Sequence, residues 1–275
     1  MQMKLRDGKS KVFTLSYDDG VLQDIRLSEI MAKCGIKGTF NINTGLYLSE
    51  DVERKRERIM HMRLSEAQAL YTDSGNEVAV HAYTHQRLEN MSPDAITTEI
   101  ITDRKNIEKQ YGTIARGMAY PFGAYSDCVI DTLEKCGICY SRTTKSTERF
   151  DFPERWLTLD PTCHHNNPKL MELARKFVEE NVGTNDNRMF YLWGHSYEFD
   201  VDNNWNVIEK FCEYMGDRDD IWYATNIEIY DYVKAYDSLQ CSFVGDIVHN
   251  PSAVDVWFAE GGKVYCVHGG ETIKL

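Results

Sequence analysis

The sequence predicts an α/β fold, a (β/α) barrel of seven or eight strands followed by a small C-terminal β appendage. Three observations support this prediction. Short β-rich segments alternate with helical segments along most of the chain, as in repeated β-α units around a parallel sheet. No Gly-x-Gly-x-x-Gly motif follows the first strand, which disfavours an open dinucleotide-binding sheet. After about residue 237 the helical periodicity ends, so we expect a barrel domain over residues 1–236 and a β-rich extension over residues 237–275.

Eight segments are rich in the β-branched and aromatic residues that are typical of strands. In chain order they cover residues 12–17, 38–42, 77–81, 117–120, 139–142, 156–159, 189–193 and 221–224. Because helical segments separate them, these strands are expected to lie side by side in one parallel sheet.

The segments between the strands carry signals for helix starts and ends. Ser92 followed by Pro93 predicts a helix start, and Gly112 predicts the end of that helix. Its isoleucines fall on one face, as packing against a sheet requires: Ile96, Ile100 and Ile107. Ser65 with Gln68 predicts a capping box for the preceding helix. Two further N-caps are expected at Ser126 and Asn226.

The acidic composition restricts the classes of partner. With 43 acidic residues, 31 basic residues and a net charge of −12, the chain is not expected to bind nucleic acid as its main partner. No segment reaches the roughly 18 uncharged apolar residues that a spanning helix needs, so no membrane span is expected. The N-terminus lacks an apolar signal-peptide core, which favours a cytoplasmic location and leaves a removed leader open. The oligomeric state is left open.

The eight cysteines are expected to be reduced, because a long chain without a leader is not typical of disulfide-rich secreted proteins. Cys136 and Cys139 form one Cys-x-x-Cys pair. No second pair is available to complete a zinc knuckle, so a structural role is favoured for both residues.

Two adjacent carboxylates, Asp18 and Asp19, directly follow the first predicted strand. In a barrel of this kind, functional residues lie at the carboxyl ends of the strands. Gly20 lets the chain bend at once, so that both carboxylates can face the barrel mouth. Because neighbouring like charges repel each other, the chain must either solvate these two groups or use them.

Histidines also lie at predicted strand ends. His81 ends the third strand and His85 follows four residues later, a spacing that brings both rings within reach of one metal ion. Two imidazoles and one carboxylate from another strand would leave coordination positions open for water and substrate. His195 follows the seventh strand after Gly194; a core histidine bonded to a backbone carbonyl is the alternative interpretation.

Four short motifs occur in a characteristic order: Tyr-Asp-Asp-Gly at 17–20, His-Ala-Tyr-Thr-His at 81–85, Tyr-Pro-Phe-Gly at 120–123 and Leu-Trp-Gly-His at 192–195. In order and approximate separation they resemble the motifs of the polysaccharide deacetylases, the NodB homology family, over residues 12 to about 230. The resemblance implies a distorted (β/α) barrel that uses a divalent metal to remove acetyl groups from N-acetylated sugars or, in some branches, from O-acetylated xylan.

The resemblance also implies roles for individual residues. Asp19, His81 and His85 would bind the metal, which is expected to be zinc, with cobalt, nickel or manganese left open. Asp18 would be the general base and His195 the general acid. The backbone N–H at Phe122 would contact the oxyanion. Tyr125, Trp193 and Tyr197 lie beside the motifs and are candidates for stacking on a sugar face, with aromatic core packing as the equal alternative. Trp156 is a further substrate-binding candidate.

The sequence departs from the family pattern in three places. Ala119 stands where many members have an arginine that holds the base, so Arg142 or Arg155 is expected to replace it. Ala82 stands where a small hydroxyl residue is usual. The segment that tunes the acid histidine is expected within residues 155–167, with Trp156 as a wall and with Asp160 or His164, beside Arg155, as candidate tuning groups.

An acetylated carbohydrate is therefore the expected substrate, as an amide or an ester. Two alternatives stay open: a cyclic-amide hydrolase of the same fold and a non-catalytic glycan-binding protein. The sugar and the role of the C-terminal extension are not predicted.

Overall fold

The structure is a computed structural model that describes residues 1–55, 57–183 and 186–275. The strands of the described residues are β1 Gln2–Lys4, β2 Lys11–Asp18, β3 Thr39–Ile42, β4 Glu77–Val80, β5 Gly117–Ala119, β6 Tyr140–Arg142, β7 Cys163–His164, β8 Arg188–Gly194, β9 Ile221–Tyr223, β10 Gln240–Cys241, β11 Ile247–His249, β12 Val256–Glu260, β13 Lys263–Val267 and β14 Thr272–Lys274. The helices are α1 Asp24–Lys33, α2 Leu64–Tyr71, α3 Pro93–Tyr111, α4 Asp127–Lys135, α5 Leu170–Glu179, α6 Glu198–Val201, α7 Trp205–Met215 and α8 Asn226–Asp237.

Eight parallel strands form the central sheet, in the order β6-β5-β4-β3-β2-β8-β7 with β9 also paired to β2. This arrangement is the predicted distorted (β/α) barrel. All residues of β2 are buried, as expected for a strand that helices cover. β2 pairs with β8 along one side, while on the other side its first half pairs with β9 and its last residues pair with β3.

The predicted strand at residues 156–159 is wrong. Residues Trp156–Thr158 form a 3₁₀ helix, and the sheet strand is the later Cys163–His164. Leu159 makes one parallel bridge to Arg142 of β6, and β7 pairs with β8. The segment after the 3₁₀ helix therefore connects the two ends of the curved sheet. The aromatic and aliphatic composition of residues 156–159 favoured a strand in that segment. The position of the strand is instead set by pairing with the neighbouring strands of the sheet, and that pairing places β7 at Cys163–His164.

Helix ends follow the predictions in part. Ser92 caps α3 by accepting a hydrogen bond from the N–H of Ala95, Gly112 ends that helix with φ of 65°, and Ser126 caps α4. The Ser65 prediction is wrong, because α2 is capped at Arg63, whose N–H donates to Glu66 Oε2 at 2.8 Å. For α8 the cap is one residue earlier than predicted, at Thr225.

The residues after α8 are β-rich, as expected. They form two three-stranded antiparallel sheets, β1-β12-β13 and β10-β11-β14, the first of which includes the N-terminal strand. β12 and β13 are joined by a turn at Gly261 and Gly262. Both glycines have positive φ, which side chains disfavour. None of the described helices is both long and apolar enough to cross a membrane.

Candidate active site

The candidate catalytic residues lie at the carboxyl ends of three sheet strands. Asp18 is the last residue of β2 and Asp19 follows it, His81 follows β4, and His195 follows β8. The sheet order places β4, β3, β2 and β8 side by side. Because parallel strands end at the same edge of the sheet, these side chains converge there, as the sequence predicted.

Unusual backbone conformations direct these side chains into the site. Asp19, Ala82 and His85 all have positive φ, of 81°, 63° and 57°. Such left-handed conformations are costly for residues other than glycine, and they cluster at functional sites. At Gly20, with φ of 62°, an added Cβ would lie 3.2 Å from the Ile42 side chain. The sharp turn after β2 therefore requires glycine at this position.

Asp19, His81 and His85 place one potential ligand atom each within 4.8 Å of one another. Asp19 Oδ1 lies 3.6 Å from His81 Nε2 and 3.5 Å from His85 Nε2. His81 Nδ1 lies 2.8 Å from the backbone oxygen of Ala119, which can only accept, so Nδ1 carries the hydrogen and Nε2 presents its lone pair.

The donor set fits a divalent cation. Burial and the neighbouring His81 lower the pKa of His85 to about 4, so its imidazole is neutral near pH 7 and can act as a ligand. Two neutral imidazoles and one carboxylate are the ligands of many catalytic zinc sites, which keep a position open. The His85 side chain is 23% exposed, whereas His81 is fully buried, so the triad opens to solvent on the His85 side.

Asp103 supports the backbone at His81, a role that the sequence analysis missed. This buried residue of α3 accepts a hydrogen bond from the His81 N–H at 3.1 Å. It also accepts from the N–H and the hydroxyl of Thr44, at 2.8 and 2.6 Å. Burial raises the pKa of Asp103 to about 7. No motif signals this residue, because its role depends on how α3 packs against β4.

Asp18 is 2% exposed and lies beside the metal triad, with its Oδ2 3.9 Å from His81 Nε2. Asn41 Nδ2 donates to its Oδ1 at 2.8 Å, and the guanidinium of Arg142 pairs with its Oδ2. Burial raises the pKa of Asp18, but the charge of Arg142, the nearby imidazoles and the Asn41 hydrogen bond outweigh burial and lower it. Asp18 is therefore held as a carboxylate.

Arg142 occupies the position that the sequence analysis left to two candidates. Its side chain is fully buried, donates to the Thr143 carbonyl at 3.1 Å and lies 4.3 Å from the Trp193 ring centre. Arg155, the other candidate, lies near the surface with its guanidinium 3.7 Å from Glu134. The arginine that holds Asp18 thus comes from the end of β6 and not from the third motif.

His195 faces Asp18 with one nitrogen and Glu198 with the other. Its Nε2 lies 4.0 Å from Asp18 Oδ2, and its Nδ1 lies 3.3 Å from Glu198 Oε1. Burial lowers the pKa of His195, but the Glu198 hydrogen bond and the charge of Asp18 outweigh this and raise it. Both carboxylates therefore stabilise the imidazolium of His195 relative to that of a free histidine.

Glu198 is the site residue that the sequence analysis missed most clearly. His164 Nε2 and His165 Nε2 lie 3.2 and 3.1 Å from its Oε2, so three imidazoles surround one carboxylate. Burial raises the pKa of Glu198, but hydrogen bonds from these imidazoles outweigh it and lower the pKa. The only available signal was the three-residue spacing from His195, which places both side chains on one side of a helical turn.

The three candidate tuning groups contact different parts of the structure. His164 belongs to the Glu198 cluster, as described above. Asp160 accepts a hydrogen bond from Thr143 and lies 3.4 Å from the amino group of Lys145. Neither Asp160 nor Arg155 makes an ion pair with His195 among the described residues.

The aromatic candidates divide into three groups. Trp193 and Tyr197 are buried, with ring centres 5.7 and 5.3 Å from that of His195. Phe122 and Tyr125 are 53% and 42% exposed, and the Phe122 ring packs edge-on to His85 at 4.6 Å. Trp156 instead packs edge-on against Tyr230 of α8, at 5.2 Å. The structure thus brings Phe122, Trp193 and Tyr197 to the site histidines.

Comparisons with known proteins concern the family and the fold. Residues 6–141, about half of the chain, match the family model described as polysaccharide deacetylase. No curated protein matches the chain.

Solved structures share the fold at low sequence identity. A Mycobacterium smegmatis protein provisionally described as a polysaccharide deacetylase is 16% identical with a TM-score of 0.60, and the match covers 86% of this chain and 94% of that one. A pseudoenzyme of carbohydrate esterase family 4 from Bacillus anthracis is 18% identical with a TM-score of 0.50, covering 81% and 66%.

A third structure, the Streptococcus pyogenes deacetylase PplD in complex with acetate, is 23% identical with a TM-score of 0.46. That match covers 53% of this chain, and this chain spans only 61% of that protein. The predicted resemblance to the polysaccharide deacetylase family is confirmed by the match of residues 6–141 and by the fold.

Proposed function

We propose that this protein is a metal-dependent hydrolase that removes acetyl groups from an N-acetylated or O-acetylated carbohydrate. One observation carries the proposal. Three ligand side chains converge with a carboxylate and an imidazole that lie outside the ligand set and face each other, with His195 Nε2 4.0 Å from Asp18 Oδ2. Metal-dependent hydrolysis of an amide or ester uses a bound metal ion, a general base and a general acid, and these five side chains could supply all three.

Asp19, His81 and His85 would hold the metal through Oδ1 and the two Nε2 atoms. Zinc is the proposed ion, and cobalt, nickel and manganese suit the same ligands. When bound, the ion polarises the acetyl carbonyl and brings the pKa of a bound water towards neutrality.

Asp18 would accept the proton of the attacking water. The Arg142 ion pair and the Asn41 hydrogen bond hold the carboxylate in one orientation, and they keep it ionised. Because these two contacts fix the carboxylate in advance, Asp18 would need little reorganisation before it accepts the proton.

His195 would donate a proton to the leaving nitrogen or oxygen. An amine or an alkoxide is too basic to leave without this proton. Glu198 lies beside Nδ1, so that Nε2 is the nitrogen directed towards Asp18 and the metal triad. Because both leaving groups need this proton, the proposal covers N-acetyl and O-acetyl substrates.

The turn Pro121–Gly123 would supply the remaining contacts. Phe122 has φ of 59°, and its ring packs against His85. We assign its backbone N–H to the oxyanion of the tetrahedral intermediate. The exposed rings of Phe122 and Tyr125 are proposed as the sugar-binding surface, since aromatic faces pack well against pyranose C–H groups. The buried rings of Trp193 and Tyr197 would instead pack around His195.

The two alternatives predict different chemistry. A cyclic-amide hydrolase of this fold would lack part of the ligand set, whereas the described residues supply all three ligands. A non-catalytic protein is represented by the Bacillus anthracis relative, but at 18% identity that likeness concerns the fold alone.

Acetate release tests the proposal. The purified protein would be loaded with Zn²⁺ and given N-acetylglucosamine oligomers, acetylxylan and small acetylated sugars. We expect acetate from at least one class, loss of activity with a chelator and recovery on adding Zn²⁺. His85→Ala should lose about 100-fold or more in kcat/KM, because an incomplete ligand set holds the ion weakly.

A matched control is His249→Ala, since His249 lies in the C-terminal β11 and contacts Thr272 and Glu271 there. Its activity should equal that of the wild type. A folded, Zn²⁺-loaded protein that releases no acetate from any of these substrates would overturn the deacetylase proposal.

A further inference from the structure

A second group of metal-ligand side chains lies in the C-terminal β-rich segment. Asp255, Cys266 and His268 each place one ligand atom within 4.8 Å of the others. Asp255 Oδ2 lies 3.0 Å from His268 Nδ1. No motif of the polysaccharide deacetylases covers these residues, and the family model ends at residue 141.

The β12–β13 hairpin brings the three residues together. Asp255 directly precedes β12, His268 directly follows β13, and the adjacent register pair is Val256 with Val267. Cys266 and His268 are two residues apart, so their side chains lie on the same face of the strand. Asp255 stands across from His268 on the partner strand. The arrangement is thus a consequence of the strand register.

Hydrogen bonds orient the donors. Asp255 Oδ1 accepts from the Gly269 N–H at 3.1 Å, which leaves Oδ2 directed at His268. Glu271 Oε2 accepts from the His268 N–H at 2.8 Å and so fixes the backbone that carries the imidazole. These contacts act as the outer support that metal ligands usually have.

The local charge favours a cation. Besides Asp255, the carboxylates of Asp7 and Glu271 lie near enough to the Cys266 thiol to act on it electrostatically. Arg6 is the opposing charge, and it acts on Asp255. The alternative is that Asp255 and His268 form only an exposed ion pair. Such a pair contributes little to stability, and it does not explain why Cys266 lies beside it.

We propose that Asp255, Cys266 and His268 form a second metal site that takes a borderline divalent cation such as Zn²⁺ or Co²⁺. A thiolate and an imidazole select these ions over Mg²⁺ or Ca²⁺, which prefer oxygen ligands. Three protein ligands leave one position of a tetrahedral ion for water. Binding of the ion would release two protons to solvent: the thiol proton of Cys266 and the proton between His268 Nδ1 and Asp255 Oδ2.

The geometry allows this coordination. With ligand distances of about 2.0–2.3 Å, donors around a tetrahedral ion lie roughly 3.5 Å apart. Asp255 Oδ2 and His268 Nδ1, at 3.0 Å, are already that close, and the Cys266 thiol lies within 4.8 Å of both, so small side-chain shifts complete the set. His268 and Asp255 are 66% and 46% exposed, so both can change rotamer without disturbing the core. The ion would then join β12 to β13 at their open end.

Cobalt spectroscopy tests the site in the full-length protein. A cysteine ligand gives Co²⁺ a thiolate charge-transfer band in the near ultraviolet, and the Asp19–His81–His85 triad contains no cysteine. The band therefore reports the second site even when both sites are filled. We expect it in the wild-type protein, with Zn²⁺ displacing the Co²⁺ and abolishing the band.

Three variants make the test specific. Cys266→Ser should abolish the band, and His268→Ala should weaken Co²⁺ binding by about tenfold or more. Cys241→Ser removes an exposed thiol elsewhere in the same segment and should leave the band unchanged. No band in the folded wild type, or an unchanged band in Cys266→Ser, would refute the site and leave Asp255 and His268 as an ion pair. Neither result depends on acetate release.

Discussion

Two ion contacts shift the pKa values of the proposed base and acid in opposite directions. Arg142 lowers the pKa of Asp18, and Glu198 raises the pKa of His195. Neither Arg142 nor Glu198 belongs to the proposed metal-binding set of Asp19, His81 and His85. The activity should therefore depend on both residues, and its pH profile should report each one separately.

Arg142→Ala should lower kcat/KM by about 100-fold or more, because it leaves the base without its positioning contact. The loss of the positive charge raises the pKa of Asp18, so the acidic limb of the pH profile should move to higher pH. Stability should fall by about 3–5 kcal/mol, as expected when one partner of a buried ion pair is removed.

Arg155→Ala is the matched control, since this arginine pairs with exposed Glu134. Its kinetics and its free energy of unfolding should stay close to those of the wild type. If both arginine variants behaved alike, Arg142 would not hold the base.

Glu198→Gln should lower the pKa of His195, because the neutral amide no longer favours the imidazolium. The alkaline limb of kcat/KM should then move to lower pH. The effect should be large for an amide substrate and small for an aryl acetate, whose leaving group needs no proton. Both are measured as pH profiles of acetate release.

Glu209→Gln is a suitable control on the surface, where Glu209 pairs with Arg26. An equal loss with the aryl acetate and the amide would show that Glu198 supports the structure and not the acid.

At this scale the sequence predicted the residues that belong to short motifs. Asp18, Asp19, His81 and His195 converge because each stands at a strand end, and strand ends can be recognised locally. Arg142 and Glu198 could not be chosen with the same certainty. Their roles depend on the curvature of the sheet and on the rotamer at the start of α6, which no local pattern encodes.

At the scale of elements, helix caps explain where α2, α3 and α8 begin. Ser92 fulfils its predicted role in α3, because the hydroxyl reaches the Ala95 N–H. In α2 the prediction had the right kind of motif but the wrong residues, since Glu66 reaches back to the Arg63 N–H. Several residues in that segment can serve as a cap, and the packing of the helix against its neighbours selects one of them.

Ser92→Ala should reduce the free energy of unfolding by about 1 kcal/mol through the loss of the α3 cap. Urea denaturation measures this change, and kcat/KM should not alter. Ser65→Ala is the comparison variant. Its hydroxyl donates to exposed Glu50 at 2.9 Å, so its effect should stay within about 0.5 kcal/mol. Equal effects of the two substitutions would contradict the assignment of the cap.

At the scale of the whole molecule, three carboxyl groups of the described residues link stability to pH; Asp24 and Asp103 are buried, and Glu77 is half-buried. Burial raises the pKa of Asp24, Glu77 and Asp103 to about 7 in each case. Asp24 accepts hydrogen bonds from Ser196, Tyr71 and the Val21 N–H, and the other two carboxyl groups also accept several. These groups join different elements through hydrogen bonds that remain when the carboxyl group is protonated.

The free energy of unfolding of the metal-free protein should fall as the pH rises from about 6 to about 8. In this range the folded state retains protons on these carboxyl groups that the unfolded state has already lost. His85 and His165, whose pKa values burial lowers to about 4, act in the opposite direction below about pH 6.5.

Urea denaturation across this range measures the slope. In Asp24→Asn, which cannot release a proton, the slope should be smaller by about a third. A wild-type stability that increases from pH 6 to pH 8 would contradict the prediction.

The central position of β2 has a consequence for folding during translation. Its sheet partners β8 and β9 are made long after it, so during translation this strand, which is fully buried in the folded protein, lacks most of its neighbours. Unpaired strand edges are prone to aggregate. A chaperone that shields extended segments would thus protect, above all, the residues that later form the floor of the proposed catalytic centre.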